Sequence, residues 1–320
     1  MAEYLGGEPL AEVVRSGFVE GLHRGSVVVL DGNNNAVAAA GDVTAPIFPR
    51  SSNKPLQAIG MLRAGLRLAD PAHLALVCGS HSGGPAHIEG VRAMLRCGGL
   101  TPEQLACPPD LPIGEEARIA WIRAGHGRER IAMNCSGKHT GMLLTCLAAG
   151  WPIDGYPSAD HPLQKQLRST VEELCAEAIG AVGVDGCGAP VLAMSLAALA
   201  GAFGTLVSAP PGSAERTVAD AMRAYPSMVG GDEPERDDTR LMRGVPGLLA
   251  KGGAEGVLVV AIPGVGAVAC KIDDGSRRAI GPVIVSALRR LGVAAAVLDE
   301  LAKYPVLGGG RPVGAVRALW

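Results

Sequence analysis

The sequence predicts a mixed α/β (α+β) fold in which strands from both ends of the chain form one sheet and the central helices form a second lobe. Strand-like runs lie near the N-terminus and again after residue 256, whereas helical patterns fill most of the chain between them. Apolar residues make up 48% of the chain and charged residues 19%, which is typical of a globular protein. Since no repeat and no linker divides the chain, we expect residues 1–320 to form a single unit.

The N-terminal elements are predicted to be a hairpin followed by a helix. The runs 26–30 and 36–40 flank turn chemistry at 31–35, and this pattern predicts a β-hairpin. Apolar residues then recur at helical spacing from Leu56 onward, with Pro55 in the first turn and Ser51 or Ser52 as the capping residue. Ser51 and Lys54 are therefore expected at a helix N-terminus.

Three polar, glycine-rich loops interrupt the centre of the chain, and each is predicted to open a helix. We call them the first loop (79–84), the second loop (134–137) and the third loop (184–190). Helix N-termini favour anions and oxyanions, so we expect the chemistry at these loops. The remaining predicted elements are helices over 162–179 and 213–223, a mobile acidic loop near 230–238, strands over 256–261 and 266–272, two helices near 282–291 and 294–301, and a last strand over 313–319.

Composition and charge exclude several classes of protein. A net charge of -2 provides no basic field for nucleic acid. The apolar runs are short and are broken by glycine, proline or charge, so no membrane span is expected. The N-terminus carries acidic residues where a signal peptide would carry basic ones. We therefore expect a cytoplasmic protein whose eight cysteines are mostly thiols.

Lysine is scarce in this chain, which contains six lysines and 23 arginines. A lysine retained against that bias could do what arginine cannot, because only lysine loses its proton at accessible pH. Lys54, Lys138 and Lys271 lie in or beside the unusual segments. The other three, by contrast, have ordinary surface contexts: Lys165, Lys251 and Lys303.

Ser51 and Lys54 form an S-x-x-K pattern. Residues three apart share a helix face, so the Lys54 amine could reach the Ser51 hydroxyl and act as its general base. Serine-lysine hydrolases of the β-lactamase type use this arrangement, but their K-T-G triplet is absent and Lys271 stands alone on the late strand. Cys135, Lys138 and Cys187 could hold zinc, although spacing alone favours buried thiols.

Five segments in the same order resemble one family of enzymes. They read RSSNKPLQ (50–57), CGSHSG (78–83), NCSGKHTGM (134–142), DGCGAP (185–190) and CKIDDG (270–275). Together they resemble the asparaginases typified by the rhizobial inducible enzyme, often called class 3. The resemblance implies a fold similar to serine β-lactamases and glutaminases, a homodimer, and hydrolysis of L-asparagine to L-aspartate and ammonia.

The same resemblance implies roles for ten residues. It implies two catalytic pairs, Ser51 with Lys54 and Ser80 with Lys271. It implies a zinc site built from Cys135, Lys138 and Cys187. Because a serine already provides the nucleophile, we expect zinc to order the loops rather than to generate hydroxide. The residues that it implies for substrate positioning are Arg50, His139 and Asp185.

Two other functions fit parts of the pattern. A related serine-lysine amidohydrolase, such as a glutaminase or a penicillin-interactive amidase, would differ in substrate and would be separated by ammonia release and β-lactam turnover. A zinc- or amino-acid-binding protein without turnover would bind asparagine and release no ammonia. In the catalytic hypothesis, Lys54 takes the Ser51 proton, Ser51 attacks the carboxamide, and Ser80 and Lys271 relay protons.

Overall fold

The computed structural model, which describes residues 3–320, contains an eight-stranded antiparallel sheet built from the two ends of the chain. The strands in chain order are β1 (Glu8–Arg15), β2 (Phe18–Asp31), β3 (Ala36–Ala40), β4 (Pro46–Ile47), β5 (Ala181–Val184), β6 (Pro190–Ser195), β7 (Leu249–Gly252), β8 (Val257–Ile262), β9 (Gly266–Ile272), β10 (Lys303–Gly308) and β11 (Arg311–Ala318). The large sheet has the order β10-β11-β1-β2-β9-β8-β7, and β3 also pairs with β2. The predicted meeting of terminal strands in one sheet is therefore confirmed.

Twelve α-helices accompany the sheet in the described residues. They are α1 (Lys54–Arg63), α2 (Pro71–Val77), α3 (Pro85–Cys97), α4 (Glu115–Arg123), α5 (Ser136–Ala149), α6 (Pro162–Cys175), α7 (Leu196–Ser208), α8 (Ala214–Ala224), α9 (Pro226–Val229), α10 (Asp237–Gly244), α11 (Ile280–Arg290) and α12 (Ala296–Leu301). Helices α7 and α11 both pack on β2 and β9. Strands β8 and β9 are buried at nearly every position, as expected for strands covered on both faces.

The predicted hairpin is present and its turn chemistry explains it. Val27 of β2 pairs with Ala40 of β3. In the turn, the Asp31 carboxylate accepts the backbone N–H groups of Asn33 and Asn35, both at 2.9 Å, while Asn34 adopts the left-handed conformation. Strand β2 begins much earlier than predicted because its first half, largely exposed, pairs with β1.

The start of α1 differs from the prediction in one respect. A 3-10 turn over Arg50–Asn53 runs directly into the helix, and Pro55 lies in its first turn as predicted. Neither Ser51 nor Ser52 caps the helix, because Asn53 precedes it and the Ser52 hydroxyl donates to the Pro49 carbonyl at 2.6 Å. Lys54 is thereby the first residue of α1 and is buried.

The third loop does not open a helix, which corrects the sequence prediction. It is the turn between β5 and β6, where Val184 pairs with Pro190. All six residues of β6 are buried, and α7 starts only after Ser195, whose hydroxyl accepts the N–H of Ala198. The second loop does open α5, as predicted. Part of the expected acidic loop near 230–238 belongs to α10, which begins at Asp237.

No helix within residues 3–320 is long and apolar enough to cross a membrane.

Candidate active site

A pocket of about 320 Å³ lies between the first two glycine-rich loops and the turn that joins β7 to β8. Ser51, Ser80 and Asn134 line it from the side of the loops, and Arg236 and Asp238 line it from the start of α10. Backbone contacts hold the loops together, since the His81 N–H donates to the Asn134 carbonyl at 3.1 Å. Both serines of the predicted catalytic pairs therefore face one cavity.

The buried Lys54 amine points at Ser80. Its Nζ lies 2.9 Å from Ser80 Oγ and 3.1 Å from Cys135 Sγ, and it donates to the Gly79 carbonyl. Within residues 3–320, the Ser51 hydroxyl is not among its hydrogen-bond partners. The structure thus brings Lys54 to the serine of the other predicted pair.

A second lysine, Lys251, approaches the same hydroxyl from β7. Its Nζ lies 3.4 Å from Ser80 Oγ and 3.8 Å from the Asp238 carboxylate, and it donates to the Gly252 carbonyl at 2.7 Å. The side chain is completely buried. The sequence interpretation of Lys251 as a surface residue was therefore wrong. Its only sequence signal is a lysine that directly follows the apolar run 248–250.

The predicted partner of Ser80, Lys271, lies elsewhere. It is on β9, half-buried, and its amine donates to the backbone carbonyls of Glu255 at 2.8 Å and Ile272 at 3.0 Å. These contacts hold the amine at the strand end, and among the described residues Ser80 is not one of its partners. We therefore replace the predicted Ser80–Lys271 pair by Ser80–Lys251.

Burial favours the neutral form of Lys251. Burial lowers the pKa of Lys251 to about 7; Asp238 opposes this effect, while Lys54 and Arg236 add to it. Burial would raise the pKa of Asp238, but Arg236, Lys251 and two backbone N–H groups hold it at about 2. A neutral amine beside a serine hydroxyl is the arrangement that a general base requires.

Arg236, which sequence reasoning missed, ties the first loop to α10. Its Nη2 donates to the Ser80 carbonyl at 2.8 Å, and its Nε lies 3.6 Å from Asp238. The guanidinium lies so close to Gly230 that a Cβ there would be 2.7 Å from Nε. Its sequence context, an acidic segment near 230–238, contained no pattern that distinguishes a buried arginine from a solvated one.

Two of the predicted substrate-positioning residues pair with each other. Arg50 Nε donates to Asp185 Oδ1 at 2.8 Å, and Arg50 Nη1 lies 3.6 Å from Glu255, which lines the pocket. Arg50 has a φ of 54°, a conformation that costs about 1–3 kcal/mol for a non-glycine residue and is concentrated at functional sites.

The third predicted residue, His139, is fully buried, and its Nδ1 lies 2.7 Å from the Tyr156 hydroxyl. Burial is the main reason why its pKa is lowered. Its Nε2 is buried with no hydrogen-bond partner in the described part of the chain. Like Arg50 and Asp185, it is not among the residues that line the pocket, and its role in positioning substrate stays a prediction.

Cys135, Lys138 and Cys187 come together as the resemblance implies, and we call them the sulfur–amine cluster. All three are buried, and Lys138 Nζ lies 3.1 Å from Cys187 Sγ. A hydrogen bond from Cys135, together with the Lys138 charge, lowers the pKa of Cys187, and the same bond with burial raises the pKa of Cys135. One thiolate and one thiol thus share a cation.

The cluster has donors that suit zinc, which binds thiolate sulfur and nitrogen with four ligands. Two sulfurs and one amine would leave one position open. The described residues contain no group of three or more His, Cys, Asp and Glu side chains placed to hold a metal, so Lys138 would have to serve as a ligand in its neutral form. The donor set fits on this condition.

Comparison with known proteins identifies the family. The family model described as L-asparaginase II matches residues 11–318. No curated protein matches the chain.

Several solved structures are similar at 13–15% identity. The native form of Mglu has a TM-score of 0.44 and 14% identity, with 83% of this chain covering 65% of that one. This chain therefore spans less than two thirds of the length of Mglu. A beta-lactamase from Mycobacterium bovis has a TM-score of 0.38 and 13% identity, with 84% of this chain covering 95% of that one. The protein described as probable glutaminase ybaS has a TM-score of 0.41 and 15% identity, with 88% of this chain covering 91% of that one.

The TM-scores of these three structures all lie below 0.5. The family model, by contrast, matches nearly the whole chain. The chain therefore belongs to the L-asparaginase II family.

Proposed function

We propose that this protein is an asparaginase-type amidohydrolase that converts L-asparagine to L-aspartate and ammonia. The observation that carries the proposal is the convergence of two buried amines, those of Lys54 and Lys251, on the Ser80 hydroxyl in a pocket that Ser51 also lines. Membership of the L-asparaginase II family supports an amide substrate.

The proposed chemistry is nucleophilic attack by a serine of this pocket. Lys251, neutral above about pH 7, accepts a proton through the Lys54–Ser80–Lys251 chain. If Ser80 attacks, its hydroxyl proton passes directly to Lys251. If Ser51 attacks, the Lys54 amine must first turn from Ser80 to Ser51. The serine oxygen forms an ester with the carboxamide carbon, the protonated nitrogen leaves as ammonia, and water hydrolyses the ester.

An amino-acid substrate matches the charges at the edge of the pocket. Arg50 and Asp185 neutralise each other in the absence of substrate. A zwitterion could replace that pair, with its α-carboxylate on Arg50 and its α-ammonium on Asp185.

Zinc in the sulfur–amine cluster forms a separate part of the proposal. Cys135, Lys138 and Cys187 would hold it, and bound zinc would supply a Lewis acid and a fixed charge that order the second and third loops. In the chain itself, burial favours loss of the Lys138 proton, but the neighbouring sulfurs outweigh burial and raise its pKa. Zinc therefore competes with a proton, and its uptake should strengthen as pH rises.

The test is ammonia release from purified protein. The proposal predicts turnover of L-asparagine that exceeds turnover of L-glutamine and of a chromogenic β-lactam. Preferred turnover of glutamine or β-lactam would assign a different amidohydrolase activity, and asparagine binding without any ammonia would indicate a binding protein.

Two further proposals concern assembly and location. We propose a homodimer, as the resemblance implies, which light scattering of the purified protein tests. We also propose a cytoplasmic location, on the grounds of composition, which cell fractionation tests.

A further inference from the structure

We propose that Asp238 is a positioning residue that sets the charge state of Lys251, and that Arg236 acts on the same lysine in the opposite direction. The inference rests on the proposed function only in giving Lys251 the role of base. It assigns a task to two buried charged residues that line the pocket and, among the described residues, make no hydrogen bond to the hydroxyl of Ser51 or Ser80.

The Asp238 carboxylate is fixed between two cations. Its Oδ2 lies 3.8 Å from Lys251 Nζ, and its Oδ1 lies 3.6 Å from Arg236 Nε. It also accepts the backbone N–H groups of Thr239 at 3.1 Å and Gly252 at 3.3 Å. With only 4% of the residue exposed and four groups that favour its anion, the carboxylate stays charged throughout the range in which Lys251 titrates.

The titratable groups that act on Lys251 come from several elements of the fold. Within the described part of the chain, Asp238 is the carboxylate that acts on Lys251, whereas Lys54 from α1 and Arg236 before α10 are cations. Two cysteines, Cys135 at the start of α5 and Cys78 at the end of α2, complete the set. Burial and the two cations favour loss of the lysine proton, whereas Asp238, and to a smaller extent Cys135, keep the pKa of Lys251 from falling below about 7.

Arg236 links this charge balance to Ser80. The same guanidinium that faces Asp238 donates to the Ser80 carbonyl at 2.8 Å. Its position is constrained by the lack of a side chain at Gly230. The alternative role for Asp238 is purely structural: it would neutralise Arg236 and leave the titration of Lys251 unaffected.

The experiment titrates Lys251 directly by NMR in protein labelled with [13Cε]lysine. Six lysines give a readable spectrum, and the Lys251 signal is the one lost in Lys251→Met. In Asp238→Asn the midpoint should fall by about one pH unit or more, because an opposite charge within about 4–6 Å changes a pKa by about 1–3 units. In Arg236→Gln the midpoint should rise. Asp237→Asn removes the neighbouring carboxylate, on which Arg277 acts more strongly than any other cation, and should move it far less.

Unchanged midpoints in both variants, or shifts in the same direction, would overturn the inference. If Asp238→Asn does not fold, Arg236→Gln alone still tests the predicted rise, and the double variant should fold because it removes both charges of the pair. The NMR titration does not require turnover. An inactive wild-type protein would therefore refute the proposed function without affecting the test of Asp238 and Arg236. In an active protein, the acid limb of the rate profile should move with the midpoint.

Discussion

Replacement of the buried Lys251 by methionine should stabilise the fold near neutral pH, even though it removes the proposed base. The pKa of this amine falls from 10.5 to about 7 on folding, chiefly because burial disfavours its charged form. At about 1.4 kcal/mol for each pKa unit, holding the lysine in the folded chain costs about 5 kcal/mol at low pH. Methionine has a similar shape and no charge to bury.

The pH dependence of this gain has a definite sign. Between pH 7 and 10.5 the unfolded chain keeps the lysine proton that the folded chain has lost, so wild-type stability rises with pH across this window. The gain from methionine should therefore shrink from about 4 kcal/mol at pH 7 to about 2 kcal/mol at pH 9. Both values are upper bounds, since the variant loses the contacts of Lys251 with Ser80 and Asp238.

Urea unfolding at about pH 6, 7.5 and 9 measures this difference, with the exposed Lys303→Met as the matched control. The control should change the free energy of unfolding by less than about 0.5 kcal/mol at each pH. A Lys251→Met protein that is less stable than wild type at every pH, or a difference that does not vary with pH, would refute the electrostatic reasoning.

Three further outcomes are expected. Ammonia release should rise with pH through about 7 as Lys251 loses its proton, and a rate independent of pH between about 5.5 and 8.5 would argue against this base. Cys187→Ser should lower the zinc content of protein purified without chelator, as measured by elemental analysis, while the exposed Cys97→Ser should not. Gly230→Ala should lower kcat more than it raises KM, because the new Cβ would lie 2.7 Å from Arg236 Nε and push the guanidinium away from the first loop. An unchanged kcat would show that this contact is dispensable.

Local chemistry made parts of the fold predictable. The hairpin of β2 and β3 followed from an Asp-Gly-Asn turn whose hydrogen bonds are all within five residues. The sulfur–amine cluster and Ser80 were found because they stand in unusual glycine-rich segments, although the evidence that joined them was the resemblance rather than spacing. The third loop was misjudged because the apolar run after it, residues 191–194, fits either a buried strand or the start of a helix.

The choice between Lys251 and Lys271 could not be made from the sequence. Both lysines lie on late strands, and the sequence favoured Lys271 because its segment was the more unusual. Which amine reaches Ser80 depends on where α10 and the first loop pack against the end of β7, a long-range arrangement without a local pattern. Burial of Asp238 beside Lys251 is part of that same arrangement and was equally invisible.

The central claim, that the base coupled to Ser80 is Lys251, is tested most directly by kcat/KM for L-asparagine in Lys251→Arg and Lys271→Arg. Arginine keeps the positive charge but cannot release its proton. The structure predicts that Lys251→Arg loses about 100-fold or more and that Lys271→Arg stays within about threefold of wild type. A severe loss in Lys271→Arg together with near-normal turnover in Lys251→Arg would contradict it.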